Sequence, residues 1–303
     1  MSHDSRKSHL HLAASKDTFT QVESWTDIST LPQVPITILL PAYNEQDRIA
    51  STLIDYANYI STCKIWNSDE SLVNILVVDD GSIDDTIQTV QRCSETIDLD
   101  VECYSLPTNV GKGAALEQGI QYISKRYCDS ISSTRLILIA DSDGSGDIHS
   151  LPDMIYTLSN CISVSIDRKQ QNIWNTNAIL VGNRSGNNSK SRMITRWGFQ
   201  TCVKLICGNL QIQDTQCGFK LMTLSAAQSL YKGLNLKRWT HDVEVLYRAK
   251  LRGYLVCECP IGWEDKTGSK LASNVQETVV VSLKMLSEII SMRLKYTLGI
   301  WKV

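Results

Sequence analysis

The sequence has no run of the roughly 20 consecutive apolar residues that a membrane-spanning helix needs. It also has no secretory signal peptide and no Cys-x-x-Cys pair among its ten cysteines, which predicts reduced thiols in a protein that faces the cytosol. The net charge of −2 provides no basic field, so the charge gives no indication of nucleic-acid binding. No internal repeat is present, and the glycine and proline counts show no fibrous bias.

What is present is an ordinary globular composition, with 43% hydrophobic and 20% charged residues, which is enough for a large core. Residues 1–33 are polar and hold three of the five histidines, and we expect them to form a flexible tail. We expect one folded domain at 34–270. The last residues, 271–303, show helical periodicity and are predicted to form amphipathic helices.

The most informative stretch is an apolar run at 136–140 that ends in two carboxylates, Asp141 and Asp143. Four consecutive branched apolar residues predict a strand that is buried on both faces, as in a parallel sheet. In open α/β sheets, ligands bind beyond the carboxyl ends of the strands, where these carboxylates would lie. Because two close carboxylates repel each other, a divalent cation such as Mg²⁺, shared with substrate phosphates, is one hypothesis. An acidic turn that caps a following helix is the alternative.

The first 150 or so residues alternate between strand and helix patterns four times, which predicts a doubly wound, mostly parallel α/β sheet. Asn44 is expected to cap the first helix, and a Ser-x-x-Asp box from Ser82 to Asp85 is expected to open the second. Polar residues also collect where the strands end, which favours an active site at that edge. These residues are Glu45, Asp79, Asp80, Lys112, Asp141 and Asp143.

Two interpretations of the predicted C-terminal helices stay open. Apolar residues recur with helical spacing from Val279 to Leu294, and several lysines and arginines flank them. The helices could pack on the rest of the domain. They could instead lie on a membrane surface, with the basic residues at lipid phosphates and Trp301 at the headgroups.

The chain resembles the family-2 glycosyltransferases, which have the GT-A fold, a Rossmann-like and mostly parallel sheet flanked by helices. The general motifs are PAYNE at 41–45, VDDGSxDxT at 78–86, NxGKG at 109–113 and DxDG at 141–144. Narrower motifs are similar to those of dolichyl-phosphate β-glucosyltransferases: DTQCGFKL at 214–221, RWxxDVE at 238–244 and WxxxxGSK at 263–270. Three features depart from the pattern. Ser142 lies within the metal motif and Ser145, Gly146 and Asp147 follow it, so the third metal ligand is open. Thr240 and His241 replace the usual Ala-Phe pair. Members of the family commonly carry an N-terminal membrane anchor, and we expect none here.

The resemblance implies transfer of glucose from UDP-glucose to dolichyl phosphate with inversion, for protein N-glycosylation. It also implies a peripheral enzyme on the cytosolic face of the endoplasmic reticulum membrane, with Mg²⁺ or Mn²⁺ as cofactor. The C-terminal helices become the candidates for membrane attachment. The expected nucleotide-sugar site consists of Pro41, Tyr43, Glu45, Asp79, Asp80, Lys112 and Asp141, and the expected metal ligands are Asp141 and Asp143.

Within that site, Asp79 or Asp80 would accept the uracil N3–H, Glu45 would bind the ribose hydroxyls, and Lys112 would lie near the phosphates. Arg184, assisted by Arg192 or Arg196, would bind the acceptor phosphate, because guanidinium groups bind phosphate in a bidentate manner. Asp214 or Asp242 would position sugar hydroxyls or act as a base. The expected catalytic residues are therefore Asp143, Asp214, Asp242 and Arg184.

Several alternatives are compatible with the same residues. Arg192 and Arg196 could form only a solvated helix face, and Asp242 could be only a helix N-cap. The donor could be another sugar nucleotide, such as GDP-mannose. A non-catalytic homologue that binds nucleotide sugars is a further alternative.

Overall fold

The computed structural model describes residues 33–63, 65–66, 72–127, 134–165, 173–184, 190–210, 212–264, 266 and 275–302. For the helical residues 190–196 and 275–279 only the backbone is described. The predicted tail at 1–33 therefore lies outside the described residues except for Gln33, and so does the GSK motif at 268–270.

Within the described residues the chain forms seven strands and eight α-helices. The strands are β1 (Ile36–Ala42), β2 (Val73–Asp79), β3 (Asp100–Ser105), β4 (Leu136–Ile139), β5 (Ala178–Asn183), β6 (Lys220–Thr223) and β7 (Leu255–Pro260). The helices are α1 (Ile49–Thr62), α2 (Thr86–Ser94), α3 (Lys112–Arg126), α4 (Leu151–Ser165), α5 (Lys190–Cys207), α6 (Leu224–Tyr231), α7 (His241–Leu251) and α8 (Val275–Thr297).

All seven strands belong to one sheet in the order β3-β2-β1-β4-β6-β5-β7. Strands β3, β2, β1 and β4 are parallel, β6 runs antiparallel to both β4 and β5, and β5 is parallel to β7. Every residue of β2 and β4 is buried, so both faces of the sheet are covered at these strands. The prediction of a mostly parallel sheet flanked by helices is confirmed, and β6 adds one reversed strand that was not predicted.

Both predicted helix caps in the first half are wrong. Asn44 has a left-handed backbone with φ of 52° and lies well before α1, and its side-chain oxygen accepts the Ile83 N–H at 2.9 Å. In return, the Asn44 N–H donates to Ser82 Oγ at 2.8 Å, so neither side chain caps a helix. The turns that follow β1 and β2 thus bind each other, because short polar side chains readily satisfy nearby backbone groups outside helices.

The C-terminal segment contains one continuous helix, α8, rather than several helices in the described residues. Its inner face buries Met285, Ile289, Met292 and Tyr296, and it packs on α5 and α7. No helix in the described ranges combines the length and apolar character required to cross a bilayer. The nine cysteines that the structure describes are free thiols, and most of them are buried.

Candidate active site

The carboxyl ends of β1, β2 and β4 meet the N-terminus of α3, and this is where Lys112 contacts Asp141. Lys112 is the first residue of α3, and its Nζ donates to Asp141 Oδ1. Burial alone would lower the pKa of Lys112, but Asp141 and Asp242 raise it above the usual value. The lysine is therefore a permanent positive charge beside one of the two strand-end carboxylates.

The second strand-end carboxylate, Asp143, lies near a cation that the sequence did not single out. An Arg48 guanidinium nitrogen is 3.6 Å from Asp143 Oδ2, and the same side chain donates two hydrogen bonds of 2.8 Å to Glu45. Asp143 Oδ1 also accepts the Ser145 N–H at 3.0 Å. Arg48 follows Glu45 by three residues, and this spacing of opposite charges is the feature of the sequence that could have indicated the ion pair.

Asp79, the last residue of β2, and Asp80, which follows it, hold neighbouring segments in place. Asp80 accepts the backbone N–H groups of Val110 at 2.7 Å and Gly111 at 2.9 Å, and Asp79 accepts the Ser105 hydroxyl at 3.1 Å. Burial raises the pKa of Asp80, and the two backbone hydrogen bonds only partly oppose this. Gly111 has φ of 98°, a conformation that favours glycine. Asp80 therefore fixes the loop immediately before Lys112.

The predicted acceptor arginine, Arg184, is bound by Asp214 in a bidentate ion pair. Arg184 Nε and one terminal nitrogen donate to the two Asp214 oxygens at 2.7 and 2.8 Å. Burial alone would lower the pKa of Arg184, but the Asp214 carboxylate raises it. The guanidinium also lies 5.0 Å from the Trp263 ring centre. Asp214 thus sets the direction of Arg184, and the structure brings together two of the predicted catalytic residues.

The octapeptide at 214–221 contacts the site at two further points. Gly218 lies under the Asp141 carboxylate, so a Cβ at this position would overlap with the carboxylate oxygens. Lys220 is almost completely buried, donates to the Cys217 carbonyl, and forms an ion pair of 2.6 Å with Asp242. Lys220 was not predicted as a site residue, since its burial depends on the pairing of β6 between β4 and β5.

Asp242 is a buried anion rather than a helix cap, so that alternative is wrong. It lies in the first turn of α7, and Thr240 occupies the N-cap position. Burial alone would raise the pKa of Asp242, but His241 when that ring is protonated, together with Lys220 and Lys112, lowers it below the usual value. A carboxylate with so low a pKa is a weak base near neutral pH.

His241 is buried beside Asp242. Its Nδ1 donates to the Arg238 carbonyl at 2.7 Å, and its Nε2 is 3.3 Å from Asp242 Oδ1. Burial lowers the pKa of His241, and the charges of Lys112 and Lys220 lower it further. We therefore treat the ring as neutral at pH 7.

Other predicted site residues are more peripheral. Pro41 belongs to β1, and Tyr43 follows that strand; both are half-buried. Arg192 and Arg196 lie in the first half of α5, where side chains are outside the described part of the chain. The predicted solvated face and the predicted acceptor role therefore both stay predictions.

The two strand-end carboxylates have the chemistry to share a divalent cation with a substrate. Asp141 and Asp143 are both partly exposed and offer hard oxygen ligands. Among the residues that the structure describes, no group of three or more His, Cys, Asp or Glu side chains is placed to hold a metal. The residues fit Mg²⁺ or Mn²⁺ only if phosphate oxygens of the substrate complete the ligand set. The alternative of an acidic helix cap is wrong, since Asp147 caps the short helical turn Ile148–Ser150 that precedes α4.

Comparisons with known proteins agree with this geometry. A model of glycosyl transferase family 2 matches residues 37–214. A dolichyl-phosphate beta-glucosyltransferase of Dictyostelium discoideum is 30% identical over 278 residues, which cover 90% of this chain and 78% of that protein. The Saccharomyces cerevisiae protein of the same name is 30% identical over 282 residues, which cover 89% of this chain and 77% of that protein.

A solved structure with a similar fold is glucosyl-3-phosphoglycerate synthase from Mycobacterium tuberculosis in complex with Mn²⁺, uridine diphosphate and glucosyl-3-phosphoglycerate. The TM-score is 0.56 at 17% identity, with 91% of this chain and 86% of that chain covered. At this identity the likeness concerns the fold alone.

Proposed function

Because the chain belongs to glycosyl transferase family 2 and is a glycosyltransferase, we propose that it transfers glucose from UDP-glucose to dolichyl phosphate with inversion. The product would be dolichyl β-D-glucosyl phosphate for protein N-glycosylation. The observation that carries the proposal is the convergence of Lys112, Asp141 and Asp143 at the end of β4, in a chain 30% identical to enzymes named for this transfer.

In the proposed donor site, Asp79 or Asp80 accepts the uracil N3–H and Glu45 binds the ribose hydroxyls. Lys112 lies beside the diphosphate, where its permanent charge offsets the charge of the departing UDP. Asp141 and Asp143 would hold Mg²⁺ or Mn²⁺, and a cation bound there would supply Lewis-acid stabilisation of the leaving diphosphate.

The proposed acceptor needs to be held rather than deprotonated. A phosphate monoester has a second pKa near ~6, so it is largely ionised at neutral pH and can attack without a general base. The low pKa of Asp242 agrees with this, because it makes that carboxylate a poor proton acceptor. Arg184, directed by Asp214, would bind the acceptor phosphate, with Arg192 or Arg196 assisting.

We also propose that the protein is peripheral on the cytosolic face of the endoplasmic reticulum membrane. The exposed side of α8 carries several apolar residues, and exposed apolar residues also occur on α5, which packs on α8, and after α8. We name these residues the outer apolar face: Trp197, Leu205, Val280, Leu283, Ile290, Leu294, Leu298 and Ile300. Lys284 and Lys295 border this face, which suits a lipid surface with anionic headgroups.

The test is to incubate the protein with a panel of radiolabelled nucleotide sugars and a short polyprenyl phosphate in detergent. We expect a labelled lipid from UDP-glucose, and a loss of turnover of about a thousandfold for Asp143→Ala if Asp143 holds the metal. A lipid product formed only from GDP-mannose would overturn the choice of donor. Binding of UDP without any transfer would favour a non-catalytic homologue.

A further inference from the structure

The segment at 233–240, between α6 and α7, borders the proposed donor site. The Lys237 carbonyl accepts the N–H of Ala114 in the first turn of α3 at 3.1 Å. The Trp239 ring, 43% exposed, lies with its centre 5.7 Å from Lys112 Nζ. Arg238 is close enough for its charge to lower the pKa of Asp80, although burial of Asp80 outweighs this. Any shift of the segment would therefore move groups around Lys112.

A fully buried carboxylate, Glu244, holds this segment from behind. It accepts the N–H groups of Asn235 at 3.1 Å and Leu236 at 2.5 Å, and the Asn235 side-chain amide at 2.8 Å. Arg248 balances its charge at 2.9 Å, one turn along α7. Burial of a carboxylate is costly unless its partners stay in place, so Glu244 ties the segment closely to α7.

The last member of this network comes from α8. The Tyr296 hydroxyl donates to Glu244 Oε1 at 2.7 Å and accepts from Arg248 Nε at 2.7 Å. The other Arg248 nitrogens donate to the carbonyls of Leu230 and Lys232 at the end of α6 and to that of Gly233, where the segment begins, at 2.6 Å. Tyr296 therefore orients both charges of the buried pair that holds 233–240.

We propose that Tyr296 is a positioning residue: through Glu244 it fixes the segment that places Trp239 and the start of α3 around Lys112, and so sets the affinity of the site for the nucleotide. The inference rests on the proposed function only in assigning the nucleotide to this edge of the sheet. It gives α8, whose outer side carries the outer apolar face, a part in the geometry of the donor site.

The test uses Tyr296→Phe, with Tyr247→Phe as a matched control. The two rings are 5.5 Å apart, and each hydroxyl forms a hydrogen bond in the contact between α7 and α8. The Tyr247 hydroxyl accepts from Arg293 of α8 at 2.6 Å, whereas the Tyr296 hydroxyl donates to Glu244. Both substitutions remove one hydroxyl and leave the ring, so thermal midpoints show whether the losses of stability are comparable.

Hydrogen exchange and binding of UDP with Mn²⁺ are then measured without acceptor. We expect peptides at 234–240 to exchange faster in Tyr296→Phe and the Kd for UDP to rise about tenfold, because misplacement of binding groups by a fraction of an ångström is costly. In turnover, the KM for the nucleotide sugar should rise while the KM for the acceptor stays unchanged. Tyr247→Phe should behave as the unmodified protein in all three measurements.

Unchanged exchange and Kd in Tyr296→Phe would overturn the proposal, and so would equal changes in both variants, since those would indicate a general loosening of α8. A protein that transfers no glucose but shows the expected changes in exchange and UDP affinity would refute the proposed function and leave the positioning role supported.

Discussion

Two neighbours fix the position of the Asp141 carboxylate. Lys112 donates a hydrogen bond to one of its oxygens, and Gly218, which has no side chain, leaves the space that the carboxylate occupies. We predict that Gly218→Ala lowers kcat/KM about 100-fold, because the new methyl group must displace Asp141 from the proposed metal site. Steady-state kinetics with UDP-glucose measures the loss. Gly198→Ala is the control, since a Cβ there meets no atom within 4 Å. Equal activity of the two variants would show that the position of Asp141 is unimportant.

His241 should make the stability of the protein depend on pH below neutrality. Burial lowers the pKa of His241, and Asp242, Lys112 and Lys220 are the charged groups around it. In acid, His241 therefore binds a proton more readily in the unfolded chain than in the folded protein. The free energy of unfolding should decrease as the pH falls below about 6.5, the pKa of histidine in the unfolded chain.

We predict that His241→Phe removes up to about 2 kcal/mol of the loss in unfolding free energy between pH 7 and pH 5, the limit for one group that stays neutral in the folded state. Urea unfolding at both pH values measures it, and substitution of the exposed His149 by Gln is the control. If His241→Phe instead enlarged the loss of unfolding free energy between pH 7 and pH 5 relative to the unmodified protein, the ring would be a cation that binds Asp242.

The site residues that the sequence could predict are those that directly follow a strand. Asp80 and Asp141 converge because the carboxyl ends of parallel strands meet at one edge, and an apolar run marks the end of β2 and of β4, whereas Lys112 follows β3 only after a loop. Arg48 and Lys220 could not be predicted in the same way. The first lies in an irregular turn, and the second is buried only because a reversed strand carries it toward Asp242.

At the scale of single elements, the outer apolar face is exposed although α8 already packs its opposite side on the domain. We predict that the double variant Leu283→Glu, Leu294→Glu reduces binding to phosphatidylcholine vesicles containing phosphatidylserine about 100-fold or more, because two leucines that would enter the membrane are replaced by charges that anionic headgroups repel. Vesicle sedimentation measures the binding.

Val164→Glu is the matched control for this prediction, since Val164 is similarly exposed but lies on α4. Transfer to a short acceptor in detergent should be the same in all variants. If the unmodified protein ignored vesicles but formed a dimer that the double variant abolished, the outer apolar face would bind a second copy instead.

Helix starts were the least predictable elements. The caps predicted for α1 and α2 rely on side chains near the start of each helix. In the structure, Asn44 and Ser82 instead form hydrogen bonds between the turn after β1 and the turn after β2. These contacts exist only once β1 and β2 are paired, so the local sequence does not contain them. The existence of both helices was still predicted correctly, since their apolar periodicity is local.

At the scale of the whole molecule, the four parallel strands were predictable because strand and helix patterns alternate over the first half of the chain. The order of the strands from the second half of the chain was not predictable. Strand β6 has four residues, follows a polar turn, and gains its place only by pairing with both β4 and β5. Such short strands depend on distant partners more than on their own pattern.

The charge balance of the whole site predicts how metal and nucleotide stabilise the fold. Lys112 and Arg48 already offset Asp141 and Asp143, and the described residues hold no ready cluster of three metal ligands. We therefore predict that EDTA leaves the thermal midpoint unchanged and that Mn²⁺ alone adds little. UDP together with Mn²⁺ or Mg²⁺ should stabilise the fold by about 2.7 kcal/mol at a hundredfold excess over Kd.

Calorimetry with each addition separately measures these effects. Asp143→Asn should lose the stabilisation by UDP with metal, while its thermal midpoint without ligands should equal that of the unmodified protein. The reason is that the cation is held jointly by two carboxylates and the diphosphate, so neither ligand set binds it tightly alone. Full stabilisation by Mn²⁺ in the absence of UDP would mean that the protein builds a complete metal site by itself, and the assignment of the diphosphate as a metal ligand would fail.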